Sequence, residues 1–172
     1  MQARQKTVVL TGLALGAALG MAGTFVAGDH LRAVLWAIDG TGLIVATTIL
    51  ALHYFRSGKD GIAAGFLVYA IGESIMLGGT AGDLIVSVPT FAGGTALWAA
   101  ALAMTCAPRE FALWTRIAGL IGAALFAATS IEIFAGAPVT QLTKPLPSVA
   151  YPFLVLTFIG WAVAVIRTPR AV

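Results

Sequence analysis

The sequence predicts an all-α integral membrane protein with six transmembrane helices, and three observations carry that prediction. Mean hydropathy is +0.96 and only 10% of the 172 residues are charged, which is more apolar surface than a soluble core of this size can hide. The chain divides into six apolar segments, each near the roughly 20 residues that a bilayer core of about 30 Å demands. The polar breaks between them are too short for a soluble domain, so residues 1–172 are read as a single transmembrane domain.

The first segment, Thr7 to Gly28, follows Arg4 and Lys6 and ends in small residues, the outline of a secretory signal. Its apolar run exceeds the roughly 7–15 residues usual for a signal, so it is expected to stay as a span. Gly12, Gly16 and Gly20 recur every four residues and leave one helix face bare, where a second backbone can approach closely. That face is predicted to pack within the fold or against another protomer. The expected partners are therefore the lipid bilayer and either a second copy of the chain or a membrane partner protein.

The second segment, Ala33 to Phe55, carries Asp39, and the third, Gly61 to Gly82, carries Glu73. The fourth is read as Pro89 to Cys106, because proline suits the first turn of a helix. Ser87 is then a cap and Leu84 to Val88 an outer connection. Pro89, Gly93 and Gly94 would shorten and loosen this helix, and an interrupted helix is a pointer to a solute site. A simple kink is the competing reading. The fifth segment, Phe111 to Gly136, carries Glu132, and the sixth runs from Ser148 to Ile166. Between these last two, Ala137 to Pro147 contains Pro138, Pro145, Pro147 and Lys144 and is expected to fold over the outer mouth.

The chemistry concentrates in Asp39, Glu73 and Glu132, since no Arg, Lys or His lies deep in the same segments. An acid at the centre of a membrane helix is unfavourable by roughly 2.5–3.5 kcal/mol, so each should face protein or water. At about 1.5 Å per residue, Asp39 falls roughly 9 Å and Glu132 roughly 6 Å inside the outer edge. Glu73 falls near the midplane, flanked by Gly72 and Ser74, with Met76 and Thr80 on or near its face. The three acids are candidates for transport or proton relay. The competing reading makes Asp39 and Glu132 interfacial and solvated, and Glu73 a protonated group bonded to a neighbouring helix.

Orientation follows from the ten basic residues. Arg4, Lys6, Arg56, Lys59, Arg109, Arg116, Arg167 and Arg170 share one side, and Arg32 and Lys144 the other. The positive-inside rule then puts both termini in the cytoplasm of a bacterial-type inner membrane. Tyr54 and Trp114 fall at the inner interface and Trp36 and Tyr151 near the outer one. Net charge of +3 is thereby a property of topology, and no nucleic-acid partner is expected. A weak internal repeat relates Ala27-Gly28-Asp29 and Gly40-Thr41 to Ala81-Gly82-Asp83 and Gly94-Thr95 at an offset of 54. Three parallel helical hairpins would produce that spacing, as would coincidence in an Ala/Gly-rich chain.

Other chemistries find no support. His30 and His53 stand 23 positions apart, about 34 Å along a helix, too far to hold one haem. Cys106 is the single cysteine, which leaves no internal disulfide or zinc pattern, and beside Met104 it reads as packing. Neither a Gly-x-Ser-x-Gly turn nor a phosphate-binding glycine loop is present. A hydrolase built on Asp39 and Glu73 would need the two carboxyls in contact. No enzyme activity, cofactor or metal is expected. Two functions remain: a small permease or channel for protons, cations or a small polar solute, or a non-catalytic scaffold or accessory subunit of a larger complex.

Overall fold

A computed structural model describes residues 1–79, 84–137 and 148–168, with the backbone alone for 84–88. Six helices follow one another, and no strand occurs among the described residues. We label them α1 (Ala3–Phe25), α2 (Asp29–Arg56), α3 (Asp60–Gly79), α4 (Leu84–Cys106), α5 (Leu113–Phe134) and α6 (Ala150–Arg167). All but α4 are long and apolar enough, over the described residues, to cross a membrane. Lys144, Pro138, Pro145, Pro147, Thr80, Arg170 and the repeat segment Ala81-Gly82-Asp83 lie outside the described residues.

Each helix packs on its neighbours in sequence, and α6 returns to pack on α1. The six therefore form a closed ring. Its interior is aromatic: Phe66 and Tyr69 of α3, Trp98 of α4, Phe126 of α5, and Phe158 and Trp161 of α6 are buried together. Trp161 meets Phe66 at 4.7 Å and Tyr69 at 5.9 Å between ring centroids, so α3 and α6 touch across the centre.

Close helix contacts fall where side chains are missing. A β-carbon on Gly12 would collide with the Gly42 carbonyl oxygen of α2 and stand 2.8 Å from the Ala46 β-carbon. One on Gly16 would collide with the Leu43 side chain, and one on Gly20 would stand 2.8 Å from Asp39 Oδ2. The glycine face of α1 is thus turned onto α2 within the chain. Between α3 and α4 the near approach is at Gly72 and Gly94, where an added β-carbon on either would stand within 3.3 Å of the other's carbonyl oxygen.

Two differences from the sequence reading concern helix starts. Helix α2 begins at Asp29, before Ala33, because Gly28 enters in an extended conformation and Arg32 ties Asp29 and the Val26 carbonyl to the first turn. Helix α4 begins at Leu84 and runs through Pro89 instead of starting there. Pro89 is the sixth residue of α4, beyond the four N–H groups that lack an internal acceptor, so it forgoes one backbone bond inside the first two turns. Gly93 and Gly94 lie inside the continuous helix, so they mark no break in it.

The basic residues secure the other end of the bundle. Lys6 donates to the carbonyl oxygens of Ile166 and Thr168 at the end of α6, and Arg116 donates to those of Cys106 and Ala107 at the end of α4. Cations there satisfy carbonyls that have no partner in their own helix. Gly58, at φ +70°, closes α2 with Gly58 N–H and Lys59 N–H donating to Phe55 and Tyr54, the left-handed cap that favours glycine.

Candidate functional site

Asp39 and Glu73 come together in the interior of the ring, 3% and 5% exposed. Their placement is built from three glycines. Gly20 lets the Asp39 carboxyl lie against α1, beside the Tyr151 ring of α6, which an added β-carbon on Gly20 would meet at 3.2 Å. Gly40, next to Asp39, lets the Glu73 carboxyl lie against α2, with Oε1 2.9 Å from the position of an added β-carbon. Gly72, next to Glu73, admits α4, whose Trp98 Cδ1 would be 3.1 Å from its β-carbon. At each of these three positions a side chain lies on bare glycine backbone.

Helix α1 widens where it faces Asp39. Residues Gly16–Gly20 form a π-helical turn, a local distortion found often at functional sites. Widening frees backbone carbonyls from their usual donors, and the Gly20 carbonyl accepts from Thr24 Oγ1 at 2.9 Å and from Trp36 Nε1 at 3.4 Å. The Trp36 bond ties the end of this turn to α2.

The two carboxyls lie within electrostatic range of each other, and Tyr69 and Tyr151 lie within range of both. Asp39 Oδ1, Glu73 Oε2 and the Tyr69 hydroxyl are buried without a protein hydrogen-bond partner. The Trp98 indole N–H approaches Glu73 without closing a bond of normal geometry. No basic side chain among the described residues forms an ion pair with either acid; the described ion pairs are Arg32–Asp29 and Lys59–Glu110, both at helix ends. Neighbouring buried carboxyls without a basic partner are costly to ionise together, so the arrangement suits holding a proton or a small cation between them.

Glu132 does not join them. It is exposed near the end of α5, two residues before Phe134. Helix α2 starts ten residues before Asp39, so the acid lies about 15 Å of helix from that start and not the roughly 9 Å counted from Ala33. Of the residues around Glu73 picked out by sequence, Met76 packs on Gly94 and Ser74 bonds back to the Ala70 carbonyl at 2.8 Å. Of the proposed helix-break residues, Pro89 is exposed, an added β-carbon on Gly93 would meet nothing within 4 Å, and Gly94 faces Gly72 and Met76 of α3. Sequence reasoning missed Tyr69, Trp98 and Tyr151. Tyr69 was readable, since it precedes Glu73 by four residues and so shares its helix face; Trp98 and Tyr151 are brought in by ring closure alone.

No group of three or more His, Cys, Asp or Glu able to hold a metal occurs among the described residues. Comparison with protein-family models, with curated proteins and with solved structures finds no match. The site is therefore read from its own chemistry.

Proposed function

We propose that this chain is a small membrane permease in which the Asp39–Glu73 pair takes up and releases a proton, or exchanges it for a small cation, during passage across the bilayer. The observation that carries the reading is the pair itself: two neighbouring acids buried between long apolar helices, without a basic partner, each with an oxygen that no protein group binds. A buried acid held only for packing is expected to have its hydrogen bonds filled. The proposed topology is six spans with both termini cytoplasmic in a bacterial-type inner membrane. It rests on the eight-to-two division of basic residues and on Lys6 and Arg116 capping helix ends on one face.

The scaffold alternative draws less support. A partner-binding role for Gly12, Gly16 and Gly20 needs that face to be free, and it is filled by α2. A dyad hydrolase would also need neighbouring acids, and beyond the pair itself no other catalytic group beside it among the described residues favours that reading.

The experiment is proton flux in proteoliposomes containing a trapped pH-sensitive dye, driven by an imposed membrane potential. Wild-type protein should collapse the applied gradient, and Glu73→Gln, folded to the same elution volume, should not. Equal flux from the two would remove the permease reading.

A further inference from the structure

The basic end of the bundle is hollowed by a cleft of about 430 Å³, whose lining includes His53, Tyr54, Lys59, Glu110, Thr115 and Arg167. Lys59 and Glu110 pair across it at 2.6 Å. At the inner wall stands Thr115, fully buried, with a hydroxyl oxygen that has no hydrogen-bond partner. Thr115 packs directly on Gly160, which lines the same cleft. The next residue, Trp161, has a buried indole nitrogen that is likewise unpartnered. Its ring meets Tyr69 at 5.9 Å, and Tyr69 stacks on Trp98 at 5.8 Å. Both Tyr69 and Trp98 carry unpartnered polar atoms, and Trp98 approaches Glu73.

Seven buried side-chain polar atoms among the described residues lack a hydrogen-bond partner. Six of them belong to this one series: Asp39, Glu73, Tyr69, Trp98, Trp161 and Thr115. The seventh, Arg32 Nε, lies at the opposite end. Each unmade buried bond is unfavourable by about 1–3 kcal/mol, so six in a dry interior would be a heavy burden on a bundle of this size. Buried donors and acceptors on neighbouring side chains are instead what buried water requires, about two to four polar partners per molecule. The series contains both kinds, indole N–H and hydroxyl donors together with carboxyl acceptors. It also descends steadily. Tyr69 is one turn nearer the basic end than Glu73, Trp161 is six residues from the end of α6, and Thr115 is the third residue of α5.

We propose that these side chains line a hydrated path from the basic-end cleft to the Asp39–Glu73 pair, along which water and protons reach the acids from that face. Thr115 is its entrance and the indole N–H groups of Trp161 and Trp98 orient the water within it. The purpose given to the path rests on the proton-relay reading above, whereas its hydration does not.

The test is deuterium exchange of the four tryptophan indole N–H groups in wild-type protein in nanodiscs, followed by NMR with ¹⁵N-tryptophan and ¹⁵N-phenylalanine. Trp114, exposed near the start of α5, is the fast reference, and the backbone amide of Phe158, in the middle of α6, is the slow one. Trp161 and Trp98 should exchange within about tenfold of Trp114, as groups in contact with mobile water do. Protection of both indoles to the level of the Phe158 amide overturns the proposal. In a Cys106→Ala background, Thr115→Cys should react with a charged, membrane-impermeant thiol reagent applied from the basic side, and absence of reaction in folded protein counts against the entrance. Fast indole exchange in a protein whose flux ignores Glu73→Gln would remove the relay reading and leave the path standing. Protected indoles in a protein whose flux requires Glu73 would do the reverse.

Discussion

Glu73 Oε1 occupies the space that a side chain on Gly40 would need, 2.9 Å from the position of its β-carbon. Leu77, one turn on from Glu73, presses on the same spot. Substituting Gly40→Ala should therefore displace the Leu77 and Glu73 side chains and lower stability by about 1–3 kcal/mol, the usual cost of overpacking. Gly93→Ala, where an added β-carbon meets nothing within 4 Å, should be neutral or stabilising by up to about 1 kcal/mol through helix propensity. Thermal melts in one detergent compare the two directly.

On α1, Gly12 and Gly16 should respond differently to the same change. The obstacle at Gly12 is the Gly42 backbone carbonyl, which cannot turn aside, whereas at Gly16 it is the end of the Leu43 side chain. Gly12→Ala should cost more than Gly16→Ala, by about 1 kcal/mol or more. Gly16→Leu should exceed both, seen as a lower melting temperature or a changed elution volume. Equal effects at the two alanine variants would mean that α1 can slide along α2.

Asp39 and Glu73 are equally buried, so they should be equally necessary. Depth counted along the sequence would let Asp39 reach water and make Asp39→Asn the milder variant. With Asp39 sealed between Gly20 and Tyr151, Asp39→Asn and Glu73→Gln should both reduce proteoliposome flux at least about tenfold, which corresponds to roughly 1.4 kcal/mol. Glu132→Gln, on the exposed end of α5, should leave it unchanged.

The helices were legible in the sequence because runs of apolar residues have only one stable form in lipid, and the ends of α3 and α5 were placed within about two residues wherever both are described. Helix starts were less legible. The start of α2 depends on Arg32 reaching back to Asp29 and Val26, and Pro89 reads as a helix start when the turn before it is itself apolar. The acids announced themselves by being charged in apolar surroundings. Their meeting did not, because it depends on Gly20, Gly40 and Gly72 facing inward, and in a chain with 20 glycines nothing local separates those three from Gly93. Closure of α6 on α1, which delivers Tyr151 and Trp161, is a property of the whole ring.

The ion pair across the cleft should matter little for folding. Lys59 and Glu110 side chains are 42% and 28% exposed, so Lys59→Ala should cost under about 1 kcal/mol, and less at high salt. Melting curves at low and high ionic strength check it.

Topology is testable independently of function. Reporter fusions at the C-terminus and at Thr143 should label opposite sides of the membrane, with the C-terminus cytoplasmic. A C-terminus on the periplasmic side would overturn the orientation and reverse the side from which the cleft opens.

The central claim is that Asp39 and Glu73 exchange a proton as a pair, and infrared difference spectroscopy of the protein in bilayers, titrated with pH, observes that event at the carboxyl itself. A protonated-carboxyl C=O band that changes with pH should appear in wild type, shift in each of Asp39→Asn and Glu73→Gln because the partner is altered, and vanish when both are replaced. A band that is absent in wild type, or that survives unchanged in the double variant, would contradict the account.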